Sequence, residues 1–377
     1  SPSQDLLDDF KRADKVCDGD IDKWIKFANT LRLRIAMQLV KVYPDSQKEA
    51  EDAVRDGVLT NSDSDVVLKS GLMLFRIEDL WNDTRANANI ISILQGYSDP
   101  RLERWFATNN ADIYSTDDEL SPVVEKATKY LGVRQGVPMT RTEYQGYSKT
   151  SRVGIPEQGP RPVLRVAEAY FLRAEGMLRN WNMGDGTPES LYNEGIHSAW
   201  ASVLGDESGW AGTYESYING FINTEEGGDF DWELFEGGFG SAPYINYRNQ
   251  EYNYYIEENG KQVGINRISV RWHDEDSPEK KLQRIITQKW ISFFPTLSSV
   301  AWTEYRRTGY PKLIPIPSDL NYSNGAIDTE LQIRRLPFTQ SEYRGNTEEV
   351  NKALGLLKGP DNGGTRLWWD VDKGNFE

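Results

Sequence analysis

Residues 277–317 read SPEKKLQRIITQKWISFFPTLSSVAWTEYRRTGYPKLIPIP, and this stretch predicts two short antiparallel helices with large aromatic residues between them. Ser277 can cap the first helix through its hydroxyl, and Pro278 at the first helical position lacks an amide that would have no partner there. Apolar residues then recur at helical spacing until Pro295 ends the run. The second helix is expected to end at Gly309, because glycine followed closely by proline is a strong stop signal.

A second helix pair is predicted over residues 20–57. In its first helix, apolar residues recur three or four positions apart and form one stripe; they are Trp24, Ile25, Ala28, Leu31, Ile35 and Leu39. Pro44 breaks this run, and Ser46 with Glu49 has the pattern of a capping box at the start of the next helix. We therefore expect two helices here, with the stripe buried and the second helix ending near Gly57.

A third helix pair is predicted over residues 163–204, where Thr187-Pro188 opens the second helix. Small residues such as Ala174 and Gly195 allow close helix approach, as in tetratricopeptide-type repeats. With the pair at 278–309, the chain has three helix hairpins of similar size. The predicted fold is therefore mainly α, a scaffold of tetratricopeptide-like helical hairpins.

The segments between and after the hairpins have a different composition. Residues 205–277 are rich in loop-forming residues, and 13 of the 46 residues from Trp210 to Tyr255 are Phe, Tyr or Trp. A turn pattern at 258–260 predicts a small β-ribbon, continued by alternating apolar residues at Ile268, Val270 and Trp272. Residues 314–377 are expected to wrap over the scaffold as irregular chain, so that residues 1–377 form a single unit.

Several segments resemble those of the SusD/RagB-like nutrient-binding outer-membrane lipoproteins of Bacteroidetes-type bacteria. They occur in the family's order from about residue 20 to the end of the chain. The segments are WIKFANTLRLRIA (24–36), DPRL (99–102), AEAYFLRAE (167–175), ITQKW (286–290), AWTEYRRTGYPK (301–312) and RRLPFTQSEY (334–343).

This resemblance implies a tetratricopeptide-like scaffold whose loops bind a nutrient without breaking it. It further implies a cell-surface location, a SusC-like TonB-dependent transporter as partner, and a lipid anchor as the sole membrane contact. Family members usually have a lipidated cysteine and further helices upstream, so we expect this chain to lack an N-terminal part.

The composition excludes some kinds of partner. Asp and Glu outnumber Lys and Arg by 58 to 43, a net charge of −15, which repels nucleic-acid phosphates and anionic headgroups. The chain contains no apolar run of membrane-spanning length. Cys17 is the single cysteine, so an intrachain disulfide is excluded.

The aromatic residues within 205–277 are the main candidates for ligand binding. Flat side chains can cover the C–H face of a sugar ring, while carboxylates, amides and guanidinium groups bind its hydroxyls. Both kinds occur together here, and Trp81 beside the Asn-rich 82–89 loop is a further candidate. The predicted ligand-binding residues are Trp232, Tyr244, Tyr247, Tyr252, Asp231, Asn246, Arg248 and Trp81.

Other chemistry has weaker support. Two isolated histidines, His197 and His273, and one cysteine do not provide the usual zinc set, and no phosphate-binding or calcium-binding loop pattern is complete. We therefore predict no catalytic residue, metal or cofactor. Asp231 and Glu233 beside an aromatic leave open a carbohydrate-active enzyme, and the same aromatic and acidic residues leave open a peptide receptor.

Arginines near helix ends are predicted to be structural rather than anion-binding. Arg306 and Arg307 end the last predicted helix, where guanidinium groups meet the negative pole and can bind free carbonyls. The same structural role is predicted for Arg32 and Arg34.

Overall fold

A computed structural model describes residues 3–68, 84–108, 130, 132–133, 135–136, 161–219, 256–258, 261–263, 265–316 and 320–377. These residues form twelve α-helices and four short strands. The helices are α1 (Gln4–Ala13), α2 (Ile21–Gln38), α3 (Ser46–Arg55), α4 (Ala88–Gly96), α5 (Arg101–Trp105), α6 (Val166–Leu178), α7 (Pro188–Leu204), α8 (Ala211–Ile218), α9 (Pro278–Phe293), α10 (Ser298–Thr308), α11 (Gln340–Gly345) and α12 (Thr347–Leu354). The strands are β1 (Val66–Leu68), β2 (Arg161–Leu164), β3 (Ile256–Glu258) and β4 (Lys261–Val263).

The fold is mainly helical and built from tetratricopeptide-like pairs, which confirms the predicted fold class. Helix α6 packs against α7, α9 and α2, so the three helix pairs share one core. The pair α9/α10 forms as its sequence indicates. Ser277 accepts a hydrogen bond from the Lys280 amide, Pro278 is the first helical residue, and Gly309 adopts a left-handed conformation with φ +77°.

The pair α6/α7 shows why small residues matter in this core. Thr187 and Ser190 form a reciprocal capping box at the start of α7, directly before Pro188. A Cβ atom placed on Gly195 would lie 2.7 Å from the Phe171 ring, and that ring is completely buried. Helices α6 and α7 can therefore approach this closely because residue 195 has no side chain.

The apolar stripe predicted for α2 is only partly correct, because Trp24 and Leu31 pack against the core whereas other members of the stripe are exposed. Leu33, Ala36 and Met37 are the buried apolar residues, whereas Ile25 and Ile35 are each about half exposed, at 50% and 48%. The helix is apolar on more than one side, so periodicity alone did not select the inner one. The Arg34–Glu168 ion pair does select it, because it holds the Arg34 side chain against α6.

The capping box predicted at Ser46 and Glu49 does not form. Ser46 donates to the Tyr43 carbonyl, and Glu49 pairs instead with Arg32 on α2. The residue before α3 is Asp45, whose side chain makes no capping bond. Helix α3 is held in place by this contact with α2 rather than by its own cap.

The β-structure consists of two antiparallel pairs, β1 with β2 and β3 with β4. The pair β3/β4 flanks the predicted turn and provides the small ribbon. The alternating residues at 268–272 are buried but lie in irregular chain. Two of their backbone carbonyls accept hydrogen bonds from tyrosine hydroxyls rather than from a neighbouring strand. Tyr97 donates to Ile268 and Tyr192 donates to Val270, each at 2.7 Å.

The C-terminal segment from residue 320 is mostly irregular and includes the short helices α11 and α12, which the sequence analysis did not predict. Arginine–aspartate pairs hold it together, because Arg334 binds Asp370 and Arg335 binds Asp361. The Tyr343 hydroxyl also donates to Asp361, at 2.7 Å.

A buried group of charged side chains connects α2, α6, α9 and α10, and we call it the central ion network. Its members are Arg34, Glu168, Glu175, Lys289, Glu304 and Arg307. Arg307 binds both Glu175 oxygens at 2.6 and 2.7 Å and binds Glu304 at 2.6 Å. The predicted structural role of Arg307 therefore stands, but its partners are buried glutamates and not the carbonyls of its own helix end. Arg306 likewise donates to the Arg334 carbonyl of the C-terminal segment.

Candidate functional site

A cavity of about 400 Å³ lies between the loop before α4 and the helix pair α9/α10. We call it the α9/α10 pocket. The end of α9 and the turn after it form one wall, α10 forms the second, and residues 84–90 form the third. Its volume lies within the range of roughly 300–1,000 Å³ that is typical of small-molecule sites.

Aromatic side chains dominate two of these walls. Trp302 and Tyr305 on α10 are stacked, with ring centroids 5.8 Å apart and an interplanar angle of 17°. The Tyr305 hydroxyl donates to the Glu330 carbonyl at 2.6 Å, which holds its ring in place. Burial raises the pKa of Tyr305, so this hydroxyl remains a protonated donor. Trp290 on α9 and Phe294 in the following turn also line the pocket.

Both indoles keep their polar edge available. Trp290 and Trp302 are half-buried, and neither indole N–H donates to any of the residues that the structure describes. An indole with a covered ring and a free N–H can stack on one part of a ligand and donate to another.

The third wall provides polar groups on a fixed loop. The Ala88 amide donates to the Val133 carbonyl and the Val133 amide donates to Ala86, which ties this loop to residue 133. The side-chain Oδ1 of Asn87 caps α4 by accepting from the Asn89 backbone amide, while the side-chain nitrogen of Asn87 makes no hydrogen bond within the described part of the chain. Gln135 lies exposed at the rim.

The start of α10 faces the same pocket. Ser298 lines the cavity, and no side chain caps the helix at Leu297. The Val300 amide donates to the Leu297 carbonyl, so the amides of Ser298 and Ser299 are the N–H donors that this uncapped start leaves for a ligand. The pocket thus combines flat apolar faces with hydrogen-bond donors, and its lining residues in the described ranges include no carboxylate.

The predicted ligand-binding residues lie outside the described residues, so their role stays a prediction. These are Trp232, Tyr244, Tyr247, Tyr252, Asp231, Asn246, Arg248 and Trp81. The Asn-rich loop that begins beside Trp81 does reach the α9/α10 pocket through its residues 84–89. Trp105, which follows that loop in sequence at the end of α5, is a core residue. It is 1% exposed, and its ring packs on that of Phe294 with the centroids 4.9 Å apart.

The sequence analysis identified the aromatic residues of α9 and α10 but assigned them to the helix interface. Trp302 and Tyr305 are three residues apart, so they share one face of α10. This face lies against the same cavity as the C-terminal end of α9, just before Pro295. Two aromatic residues three positions apart on α10, close to the turn that Pro295 forms, are the sequence feature that indicates this pocket.

The two histidines have local partners. His197 packs between the rings of Trp210 and Tyr214, at 5.3 Å from each, and bonds Glu207. His273 lies 3.3 Å from Glu275 in its own turn. Within the described ranges, no group of three or more His, Cys, Asp or Glu residues is placed to hold a metal ion.

A family model matches most of this chain. The model is SusD-like, described as Susd and RagB outer membrane lipoprotein, and it covers residues 3–215 and 239–370. This chain belongs to the SusD-like family. In the described part of this SusD-like protein, no helix is both long enough and apolar enough to cross a membrane.

Solved structures of SusD homologues are similar over nearly the whole chain. A chitin-binding SusD homologue from Flavobacterium johnsoniae is 37% identical, with a TM-score of 0.77 over 97% of this chain and 67% of that one. A SusD-like protein from Bacteroides thetaiotaomicron is 30% identical, with a TM-score of 0.75 over 97% and 68%. A homologue from Bacteroides vulgatus is 32% identical, with a TM-score of 0.75 over 99% and 69%. A comparison with curated proteins finds no match.

Proposed function

We propose that this SusD-like protein is a non-enzymatic receptor that captures an oligosaccharide at the cell surface, and that the α9/α10 pocket is its binding site. The stacked Trp302–Tyr305 pair facing a cavity of about 400 Å³ carries this proposal. A sugar ring has a C–H face that a flat side chain can cover and a rim of hydroxyls that need hydrogen bonds. This pocket offers both.

The ligand class that the pocket suits is a neutral glycan with N-acetyl groups. Its donors that have no partner among the described residues are the two indole N–H groups, the side-chain nitrogen of Asn87 and amides at the start of α10, and all of these can donate to carbonyl or hydroxyl oxygens. The acetamido group of N-acetylglucosamine provides such a carbonyl oxygen. The chitin-binding relative at 37% identity supports chitin oligosaccharides as the first ligands to test.

Captured glycan would pass to a SusC-like TonB-dependent transporter, while a lipid holds the receptor at the outer membrane. Family membership supports this arrangement, since the family is one of outer membrane lipoproteins. Affinity purification from the native membrane is the direct check: a TonB-dependent transporter should co-purify with the tagged receptor and be absent from an untagged control.

A receptor and a glycosidase make different demands on the site. Glycoside hydrolysis generally uses two carboxyl groups about 5–9.5 Å apart around the bond to be broken. The described residues that line the α9/α10 pocket include no Asp or Glu, which supports binding without cleavage. Prolonged incubation with chitotriose should therefore yield no shorter product.

Calorimetric titration with chitotriose tests the receptor proposal. Trp302→Ala should weaken binding at least about tenfold, because it removes the stacking face. Trp302→Phe keeps a flat ring but removes the indole N–H, so its affinity should lie between those of the wild type and the alanine variant. Tyr322→Ala is the matched control, because Tyr322 is 79% exposed and does not line the pocket.

The test also separates this proposal from its rival. If Trp302→Ala binds chitotriose as tightly as wild type, the pocket is not the glycan site. If a panel of glycans gives no binding while short peptides bind to the wild type and bind more weakly to Trp302→Ala, the receptor takes peptides instead.

A further inference from the structure

Two adjacent tryptophans near the end of the chain are unusually accessible. Trp368 is 67% exposed and Trp369 is 43% exposed, with their rings perpendicular and 5.5 Å apart. Exposed indoles side by side are uncommon unless they contact a partner or ligand.

These tryptophans border a second cavity of about 250 Å³, on the side of α10 that Thr303 and Arg306 occupy. The end of α2 provides the opposite wall, including Ile35 and Gln38. Helix α10 thus separates two cavities, with Trp302 facing the larger one and Thr303 facing the smaller one.

Several hydrogen bonds hold the tryptophan-bearing segment against the scaffold. Asp370, next to Trp369, accepts from Arg334 at 2.6 Å and from Arg366 at 2.9 Å. Further along, Lys41 donates to the Lys373 carbonyl at 2.8 Å. The indoles therefore stand on a fixed support, so binding a ligand would not require ordering this segment.

The cavity also has polar side chains in its wall. The side-chain amide of Gln38 makes no hydrogen bond to the described residues, and Arg306 donates one, to the Arg334 carbonyl at 2.7 Å. The charged groups at its floor are occupied, because Arg307 binds Glu175 and Glu304 while Lys41 binds two carbonyls. A hydroxyl or amide oxygen of a ligand would find hydrogen-bond donors there.

We propose that this second cavity is an additional carbohydrate-binding site, in which Trp368 stacks on one sugar ring and Gln38 and Arg306 bind its polar rim. Its volume is just below the range of roughly 300–1,000 Å³ for drug-sized ligands, which suits a single ring rather than a chain. A receptor with sites on both sides of α10 would hold a long glycan at two points and bind polymers more tightly than short fragments.

The test uses the Trp302→Ala variant, in which binding at the α9/α10 pocket is weakened, so that a second binding event can be followed. Titration of this variant with chitotriose should still show one weak binding event. Adding Trp368→Ala should weaken that event at least about tenfold. Gln38→Ala should weaken it as well without a change in fold, while Tyr322→Ala should leave it unchanged, since this exposed residue borders neither cavity.

The two proposals fail in different ways. No binding by Trp302→Ala, with binding by wild type, overturns the second site and leaves the receptor proposal standing. Binding that is insensitive to Trp302→Ala but lost in Trp368→Ala supports the second site and overturns the first. Residual binding that Trp368→Ala does not affect overturns the second site.

Discussion

Replacing Arg307 by methionine should destabilise this protein strongly, because the guanidinium holds two buried carboxylates. The side chain of Arg307 is 5% exposed, and those of Glu175 and Glu304 are 1% exposed each. Burial alone raises the pKa of Glu175, but the charges of Arg307 and Arg179 outweigh it and hold the pKa well below its ordinary value. Burial likewise raises the pKa of Glu304, but the charges of Arg307 and Lys289 outweigh it and lower the pKa, so both glutamates are ionised in the folded protein.

The magnitude follows from what remains after the substitution. Glu175 keeps Arg179 at 2.8 Å and Glu304 keeps Lys289 at 3.2 Å, so neither carboxylate is wholly unpaired. Removing one partner of a buried pair typically costs about 3–5 kcal/mol. With an unfolding entropy of about 2.1 cal/mol/K per residue, that cost lowers the Tm of a chain this long by about 4–6 °C.

Thermal unfolding followed by circular dichroism measures this difference. Arg55→Met is the control, because Arg55 is 66% exposed and pairs with Asp52 and Asp56 at the surface, where ion pairs contribute little. Because the pKa of Glu175 is lower in the folded protein than its unfolded value of about 4.5, the ionised carboxylate stabilises the fold above pH 4.5. This stabilisation is lost as the pH falls below that value. The difference in Tm between wild type and Arg307→Met should therefore become smaller below that pH. Equal melting temperatures for Arg307→Met and Arg55→Met at pH 7 would refute the reasoning.

Three further predictions concern single residues elsewhere in the scaffold. Burial, Arg307 and Arg179 lower the pKa of Lys41 from 10.5 to about 8, so wild type should gain stability over Lys41→Met as the pH rises from 8 to about 10.5, measured by urea unfolding. The Asp14 carboxylate accepts hydrogen bonds from three backbone amides and the Trp24 indole, which outweigh desolvation and lower its pKa to about 2. Asp14→Asn should therefore lower the free energy of unfolding at pH 7, and this difference from wild type should disappear as the pH falls from 3.8 to about 2. Gly195→Ala should cost about 1–3 kcal/mol through its clash with the buried Phe171 ring, whereas Gly212→Ala, with open space around its Cβ, should not destabilise.

Local chemistry in the sequence predicted the helix pairs well where the signals were short-range. Ser277, Pro278, Thr187 and Gly309 act through their own backbone neighbourhoods, and each starts or ends a helix as expected. The failures were non-local. The inner face of α2 is selected by a pair between Arg34 and Glu168, which are 134 residues apart in sequence.

The candidate pocket was harder to predict for a related reason. Its lining comes from two main stretches of chain, residues 84–90 and 290–305, together with single residues far from them in sequence, and no periodicity connects them; the single residues are Phe106, Gln135, Leu313 and Gln332. The aromatic residues of α10 look like ordinary core residues when the helix is read alone. Only the packing of α9 against α10 shows that Trp302 faces a cavity rather than the helix interface.

The segments that carry the family resemblance and the residues that contact a ligand serve different purposes in this molecule. Segment 24–36 provides Arg34, 167–175 provides Glu168 and Glu175, 286–290 provides Lys289, and 301–312 provides Glu304 and Arg307 to the central ion network. Segment 99–102 adds a separate buried pair, Asp99 with Arg101. A buried charge tolerates few replacements, because any change leaves its partner without compensation. These segments are therefore recognisable because they hold the helices together. The described residues that line the pocket form no ion pair with these buried charges, so they can be replaced, and the ligand changed, without loss of the scaffold.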